Sequence, residues 1–501
     1  MKAAVLAGLR RPAALWAVLA ALCGVPAAAA AQAPLAATPL LPPDHWAYAA
    51  LARLDAVGVA GPGYDVGAGS LAWSEAVARL ERAAADPAAG AGVRRLAAGY
   101  LARLREEVGD AATDTSGAAR FPGWVGGGFA SQRGGLLAGY DRDEVRFAPA
   151  PVPAQSAPFG SALVAARAGR IFAGLAVPRW SAHEAALDEA YVAAGAGRVR
   201  GWAGRRRVGY GAGADRSVVL GGAVALDGAG VFTATPFRLP SVLRLVGPVR
   251  VEAAAARLHR AGGVAVPWFV ALRVAVRPHP RLALAASRAA AFGGRGNAPI
   301  GWHEVPVLLI GHAGGAHGET ENQVASVAAR WRPPAGALPL VLYGEWGFDD
   351  VGNSYFHVPG VVAGLQLATV PGVPALGVGV ERASFAGHCC GNPPWYRHSA
   401  LPWMDRRIPL GHPLGGQGDE WLAYARADLA DARLRLDARA FRRHRGPENL
   451  FAPARQGRSL GGALEVALRP YAGLEAFAAG AVEDGVGWRE TSLEAGVRVR
   501  Y

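Results

Sequence analysis

The chain of 501 residues carries one lysine, Lys2, and three cysteines, and beyond residue 31 it has no run of 18 apolar residues. Each shortage excludes something. A helical membrane span needs about 20 such residues, and the longest candidate, Gly364 to Val380, is interrupted by Pro371 and Pro374. A disulfide framework is excluded too, because apart from Cys23 only the adjacent pair Cys389 and Cys390 is present, either as a vicinal bridge or as two neutral neighbours. With almost no lysine, the formal charge of +13 is an arginine charge. Heavy use of Ala, Gly, Arg, Pro and Val points to compositional drift, so the basic balance is weak evidence of a partner.

Residues 1–31 have the layout of a cleaved secretory signal. Lys2, Arg10 and Arg11 form the positive start, Pro12 to Val25 the apolar stretch, and Ala29, Ala30 and Ala31 the small residues before a mature start at Gln32. A lipid anchor at Cys23 is the competing reading, opposed by the bulk of Leu22. Losing three cations and no anions takes the charge from +13 to +10. An exported chain does not meet nucleic acid. An acidic polysaccharide or an anionic membrane face is the partner its charge would suit.

From Asp44 to Asp110 the spacing is helical. Ala47, Leu51, Leu54 and Val57 recur at three and four residues before Gly58, Ser74 stands as an N-cap ahead of Glu75, Val77 and Leu80, and a further helix is expected from Val93 to Val108. This gives a small helical domain over residues 32–118.

From residue 119 the period becomes two. Leu493, Ala495, Val497, Val499 and Tyr501 oppose Glu494, Arg498 and Arg500; Trp268, Val270, Leu272, Val274 and Val276 oppose Arg273 and Arg277; Leu434, Leu436, Ala438 and Ala440 oppose Arg435, Asp437 and Arg439. Arginines facing lipid would each cost ~2–4 kcal/mol at mid-bilayer, so these face a wet lumen. A soluble β-sandwich also alternates. Against it, short turns (278–280, 333–336, 371–374) alternate with long loops (293–322, 348–359, 387–418), and Trp124, Trp202, Trp268, Trp421 and Trp488 sit near strand ends as an interfacial girdle would. The expected fold is a mainly β chain, a transmembrane antiparallel barrel over 119–501. At roughly 20 residues per strand and connection it has about 16–18 strands. The last strand, ending at Tyr501, resembles the signal read by the barrel-assembly machinery.

No catalytic constellation persuades. Gly457 to Gly461 matches a G-x-S-x-G elbow around Ser459, but a strand rather than a helix follows. His388, Cys389 and Cys390 are consecutive and cannot converge on one metal ion. Glu345, Asp349 and Asp350 read as solvated loop carboxylates. No cofactor, metal or enzymatic activity is expected. For binding, Trp302, His303 and Glu304 in one loop and Trp395, Tyr396, Arg397 and His398 in another interleave aromatic faces with polar groups. That combination suits a glycan, with interfacial aromatics as the plainer reading.

Several segments together resemble the Wzi family of capsule-assembly outer-membrane proteins: Gly204–Gly213, Pro236–Pro240 ahead of Val246–Val249, Phe292–Gly296, Glu321–Trp331, Leu342–Asp350, Trp395–His398 and Leu410–Gly415. The resemblance covers the chain from about residue 120 onward. It implies an 18-stranded barrel partly closed by helices, acting without turnover as a surface lectin that retains capsular polysaccharide. A second likeness, over Asp44–Gly61 and Trp73–Leu80, is to one S-layer-homology repeat, a kind of domain that binds cell-wall polymers. A wall tether and a helical plug or cap are therefore both open for residues 32–118. The leading function is retention of surface polysaccharide in the outer membrane, with an acidic polymer suited to the arginines. The alternative is a porin whose helical domain ties the membrane to the wall.

Overall fold

The computed structural model describes residues 37–59, 69–109, 117–133, 157–181, 185–196, 198–211, 217–301, 304–305, 308, 320–334, 338–349, 359–385, 395–406 and 408–501. The signal segment, Trp302, His303, Asp350, His388, Cys389 and Cys390 lie outside the described residues.

Eighteen long strands follow one another: β1 (Trp124–Arg133), β2 (Ala157–Ala168), β3 (Phe172–Ser181), β4 (Ala185–Ala196), β5 (Val199–Gly209), β6 (Gly221–Thr233), β7 (Pro248–Arg257), β8 (Trp268–His279), β9 (Leu282–Phe292), β10 (Glu321–Trp331), β11 (Leu340–Asp349), β12 (Gly360–Leu367), β13 (Leu376–Phe385), β14 (Gly418–Leu429), β15 (Leu434–Arg445), β16 (Gly457–Tyr471), β17 (Leu474–Gly485) and β18 (Trp488–Arg500). Each is antiparallel to its neighbours, and β18 returns to β1 with Arg500 opposite Trp124. Closure gives every strand two partners, so no edge is left to recruit another chain. Most connections sort by end. Tight turns such as that between β8 and β9, where His279 faces Leu282, lie at the end that also holds Trp124 and Tyr501; the strand ends that lead into the long connections β9–β10, β11–β12 and β13–β14 lie at the other, together with the two-residue turn between β17 and β18. We call these the turn end and the loop end.

The outer wall is apolar where the period-two pattern required it. Leu493, Val497 and Val499 on β18 and Leu460, Leu464 and Leu468 on β16 are exposed, whereas Glu494 between them is fully buried. The aromatic girdle is built mostly from residues other than those expected. Trp180, Trp346 and Trp421 stand exposed toward the loop end, and Phe172, Trp331, Tyr471 and Tyr501 toward the turn end. Trp421 and half-exposed Trp268 have the outward parity foreseen for them, but Trp202 is 2% exposed and stacks on Arg206, and Trp124 and Trp488 lie on the inward face against Arg498 and Arg445. Nearness to a strand end was not enough, because face is decided by parity within the strand.

The inward arginines do not face open water. Arg273, Arg277 and Arg439 are buried, and Arg439 pairs with Asp437 and Glu465. The interior is occupied by three helices, α1 (Trp46–Ala56), α2 (Trp73–Ala85) and α3 (Ala91–Val108). His45 caps α1 by accepting the Ala47 N–H. Ser74 lies inside α2 rather than capping it; its N–H is taken by the Thr38 hydroxyl, supplied by the preceding segment. Charged contacts seat the bundle against the wall at the turn end. Arg53 reaches Asp428 at 2.8 Å and the Ala375 and Arg426 carbonyls, Arg277 reaches Asp55 at 2.9 Å, and Arg103 reaches Glu475 at 3.2 Å. Deeper in, Arg207 clasps Asp44 through both nitrogens and Arg250 meets Glu75. One apolar cluster runs from Leu51, Leu54 and Leu80 of the helices through Val218 and Leu220 to Trp395, Trp403 and Leu410 at the loop end. The barrel is therefore filled along its axis.

Candidate functional site

The loop end is closed by the segment following β13, which folds inward before β14. Residues 395–406 and 408–417 are held there largely by backbone and ring atoms. Tyr396 donates its hydroxyl to the Val218 carbonyl and accepts the His412 N–H, the Trp403 ring nitrogen donates to the Val219 carbonyl at 2.9 Å, and the Gly221 N–H donates to Leu410 at 2.7 Å. Burial pushes the Tyr396 phenol well above its usual range, keeping the donated proton in place. From the next connection, the Asn449 amide donates to the carbonyls of Leu414, Gly416 and Gln417. Gly416 has φ +82°, and a Cβ there would lie 2.1 Å from the Trp395 carbonyl oxygen, so this turn admits only glycine.

Glu345 supports the same lid from the wall and is not the solvated carboxylate expected. It is 3% exposed, accepts from the Ser326 and Ser217 hydroxyls, and accepts the Val218 N–H at 3.1 Å. Asp349, two same-face positions further along β11, accepts the Tyr396 N–H. The reason is the period-two register. Positions 345 and 347 point inward, where the lid excludes water.

The residues nominated for glycan contact separate. Trp395 and Tyr396 are 1% and 0% exposed, packed with Phe385 and each other, so they are struts of the lid and not exposed stacking faces. Arg397 is exposed and pairs with Glu448, and His398 is half-buried, its Nδ1 accepting the Ala400 and Leu401 N–H groups. Glu304 is half-buried and accepts the Gly301 N–H at 2.6 Å. The structure does not bring the two groups together among the described residues. Alternating aromatic and polar letters could not reveal burial, because a loop folded into a barrel and one spread on it have the same composition.

Ser459 lies in the body of β16 and donates to Glu483 at 2.7 Å, so the G-x-S-x-G match is strand and not elbow. Glu381, His412 and Glu420, all buried, bring possible ligand atoms within 4.8 Å of one another. Their other partners argue for a clip between lid and wall. Tyr343 donates to Glu381, Arg443 to Glu420, and the Leu414 N–H to His412 Nδ1. With Nδ1 accepting, the neutral ring carries its proton on Nε2, the atom 4.0 Å from Glu420, where a metal would need a lone pair.

Against solved structures, the chain is similar to Wzi of Escherichia coli, described as an outer membrane protein involved in group 1 capsule assembly and a carbohydrate-binding β-barrel. The two share 16% identity over 93% of this chain and 100% of that one, with a TM-score of 0.72, a likeness of fold. OpdQ and OccK11 of Pseudomonas aeruginosa share 11% and 12% identity over 77% of this chain and 98% and 96% of theirs, both with TM-scores of 0.46, too remote to bear on it. No curated protein matches by sequence. The family model of capsule assembly protein Wzi matches residues 126–488, from β1 into the start of β18, and with that span, most of the chain, this protein belongs to the Wzi capsule-assembly family.

Proposed function

We infer that the chain is a non-enzymatic outer-membrane barrel that binds and retains surface polysaccharide during capsule assembly. The observation that carries this reading is the family match over residues 126–488. The filled interior supports it against the porin alternative, because a solute would have to displace both the helices and the lid. The loop end is then the outer surface, as long loops are in such barrels, and the helical bundle lies on the periplasmic side as a plug. The accessible members of the nominated set, Arg397 and His398, with Trp302, His303 and Glu304 of the other loop, contact the glycan, while Trp395 and Tyr396 hold the surface in shape. Arginine suits an acidic polymer through two-pronged pairing with carboxylates. Export uses residues 1–31 as a cleaved signal, and the final strand ending at Tyr501 presents the barrel to the assembly machinery.

The test compares polysaccharide on cells with polysaccharide in the medium, with and without this chain. Release into the medium at unchanged total synthesis is expected. An unchanged distribution, joined with steady ion conduction by the purified protein in a planar bilayer, would replace this reading by the porin.

A further inference from the structure

The outer wall carries a second kind of arginine near the loop end. Trp421 on β14, Arg442 on β15, Leu460 on β16, Asp484 on β17 and Arg489 on β18 are successive cross-strand partners, and directly opposed residues share a face. Four steps of ~4.8 Å make this row about 19 Å long. Above it, His444 on β15 faces Arg458 on β16. Arg442, His444, Arg458, Asp484 and Arg489 are all exposed and outward by parity, since Phe441, Arg443 and Arg445 are buried inside and Ser459, Glu483 and Glu490 likewise. None of these five side chains makes a hydrogen bond or ion pair with any described residue, whereas Arg443 and Arg445 one position away are bonded to Glu420 and Glu483. Leu460 within the row is 65% exposed, and two same-face positions further along their strands Leu464 and Leu493, 50% and 58% exposed, continue the lipid-facing band.

We propose that this row is a binding site for the phosphorylated headgroup of a glycolipid in the outer leaflet. Three arginines around one aspartate leave two net positive charges where the apolar band ends, the level at which headgroup phosphates stand. Guanidinium forks hold phosphate oxygens in pairs. Trp421, 54% exposed and directly opposite Arg442, offers the flat face on which a sugar ring stacks, with Arg382 over its ring at 5.0 Å and held by Asp419 at 2.8 Å. An ordinary phospholipid headgroup would use the charges but not the indole. The site faces the membrane and is separate from the lid and loops, so it stands whether or not these bind polysaccharide.

The experiment purifies the full chain in an uncharged detergent and measures retention of a diphosphorylated glucosamine lipid, lipid A, by native mass spectrometry. Its dephosphorylated form and phosphatidylglycerol are compared alongside. The triple variant R442Q/R458Q/R489Q should retain the phosphorylated glycolipid at least ten-fold more weakly, with folding checked by heat-modifiable gel migration. Asp484→Asn, which removes the one opposing charge, should retain it more tightly and decides the matter alone if the triple variant does not fold. Equal retention by folded wild type and triple variant, no gain in Asp484→Asn, or wild-type retention no better than for phosphatidylglycerol or the dephosphorylated lipid would overturn the proposal.

Discussion

The two ends of this barrel are closed by different physics. At the turn end, helices are seated by ions: Glu107 of α3 accepts from Trp46 at 2.9 Å, His45 at 3.0 Å and Arg500 of the last strand at 3.1 Å, and Arg103 pairs with it from one turn back. At the loop end, a segment of chain is seated mainly by rings and backbone: Trp395, Tyr396 and Trp403 are buried, the Tyr396 hydroxyl and the Trp403 ring N–H donate to backbone carbonyls, and one carboxylate, that of Asp349, accepts the Tyr396 N–H. An ionic seat depends on every partner being present, because a charge left alone in a dry interior is costly. A ring seat is graded, since each contact contributes by area. The plug should therefore fail abruptly and the lid by degrees.

The largest effect is expected at Glu107. Glu107→Ala removes one of the two carboxylates that Arg103 and Arg500 share, leaving them Glu475 alone, and should cost about 3–5 kcal/mol, read as a lower unfolding temperature and as conductance bursts in a planar bilayer. A plug that stays seated in this variant would remove the contrast between the ends. The pH response sharpens it. Burial raises the Glu107 pKa, but Arg500, His45 and Arg103 overcome this and hold it well below the usual carboxylate range. Its stabilisation is then complete above the pKa of the unfolded chain, near 4.5, and lost only as pH falls through the lower folded value. Wild-type melting limited by the plug should change little from pH 7 to pH 5 and fall below about 4, whereas Glu107→Gln should lose this acid limb.

A middle-sized effect is expected at the lid. Tyr396→Phe removes the hydroxyl between Val218 and His412 and leaves a buried carbonyl and N–H unmatched, costing about 1–3 kcal/mol. Hydrogen exchange should rise at residues 395–417 and not in the helices; exchange rising equally in both would mean that the two ends open together. The smallest is Ser459→Ala, which removes one hydrogen bond to Glu483, still held by Arg443 and Arg445, at about 1 kcal/mol. Polysaccharide retention unchanged in this variant agrees with Ser459 as a wall residue, and its loss would reopen a hydrolase.

Much of the wall was readable because alternation is local. Once Leu493, Val497 and Val499 are apolar and Glu494 and Arg498 are not, a strand has one way to lie between lipid and interior. The same parity, followed from Ala438 and Ala440 to Arg442 and His444, marks the outward rim charges, a signal hidden by reading all arginines as inward. The girdle was misplaced at Trp202 and Trp488 because position along a strand was taken without parity. Burial of Trp395, Tyr396 and Glu345 was not readable, since it depends on a loop returning to residues 217–220, nearly 180 positions earlier in the chain.

By itself the sequence determined the strands, their lipid faces, the alternation of short and long connections, and three helical stretches before them, all consequences of periods of two and 3.6 within a few residues. Only the tertiary structure decided that the helices stand inside the barrel, that β18 closes on β1, and that the lumen is filled with ion pairs instead of water. Those outcomes depend on which distant charges meet, as Arg53 meets Asp428 and Arg103 meets Glu475, and no local pattern carries the identity of a partner more than 370 residues away.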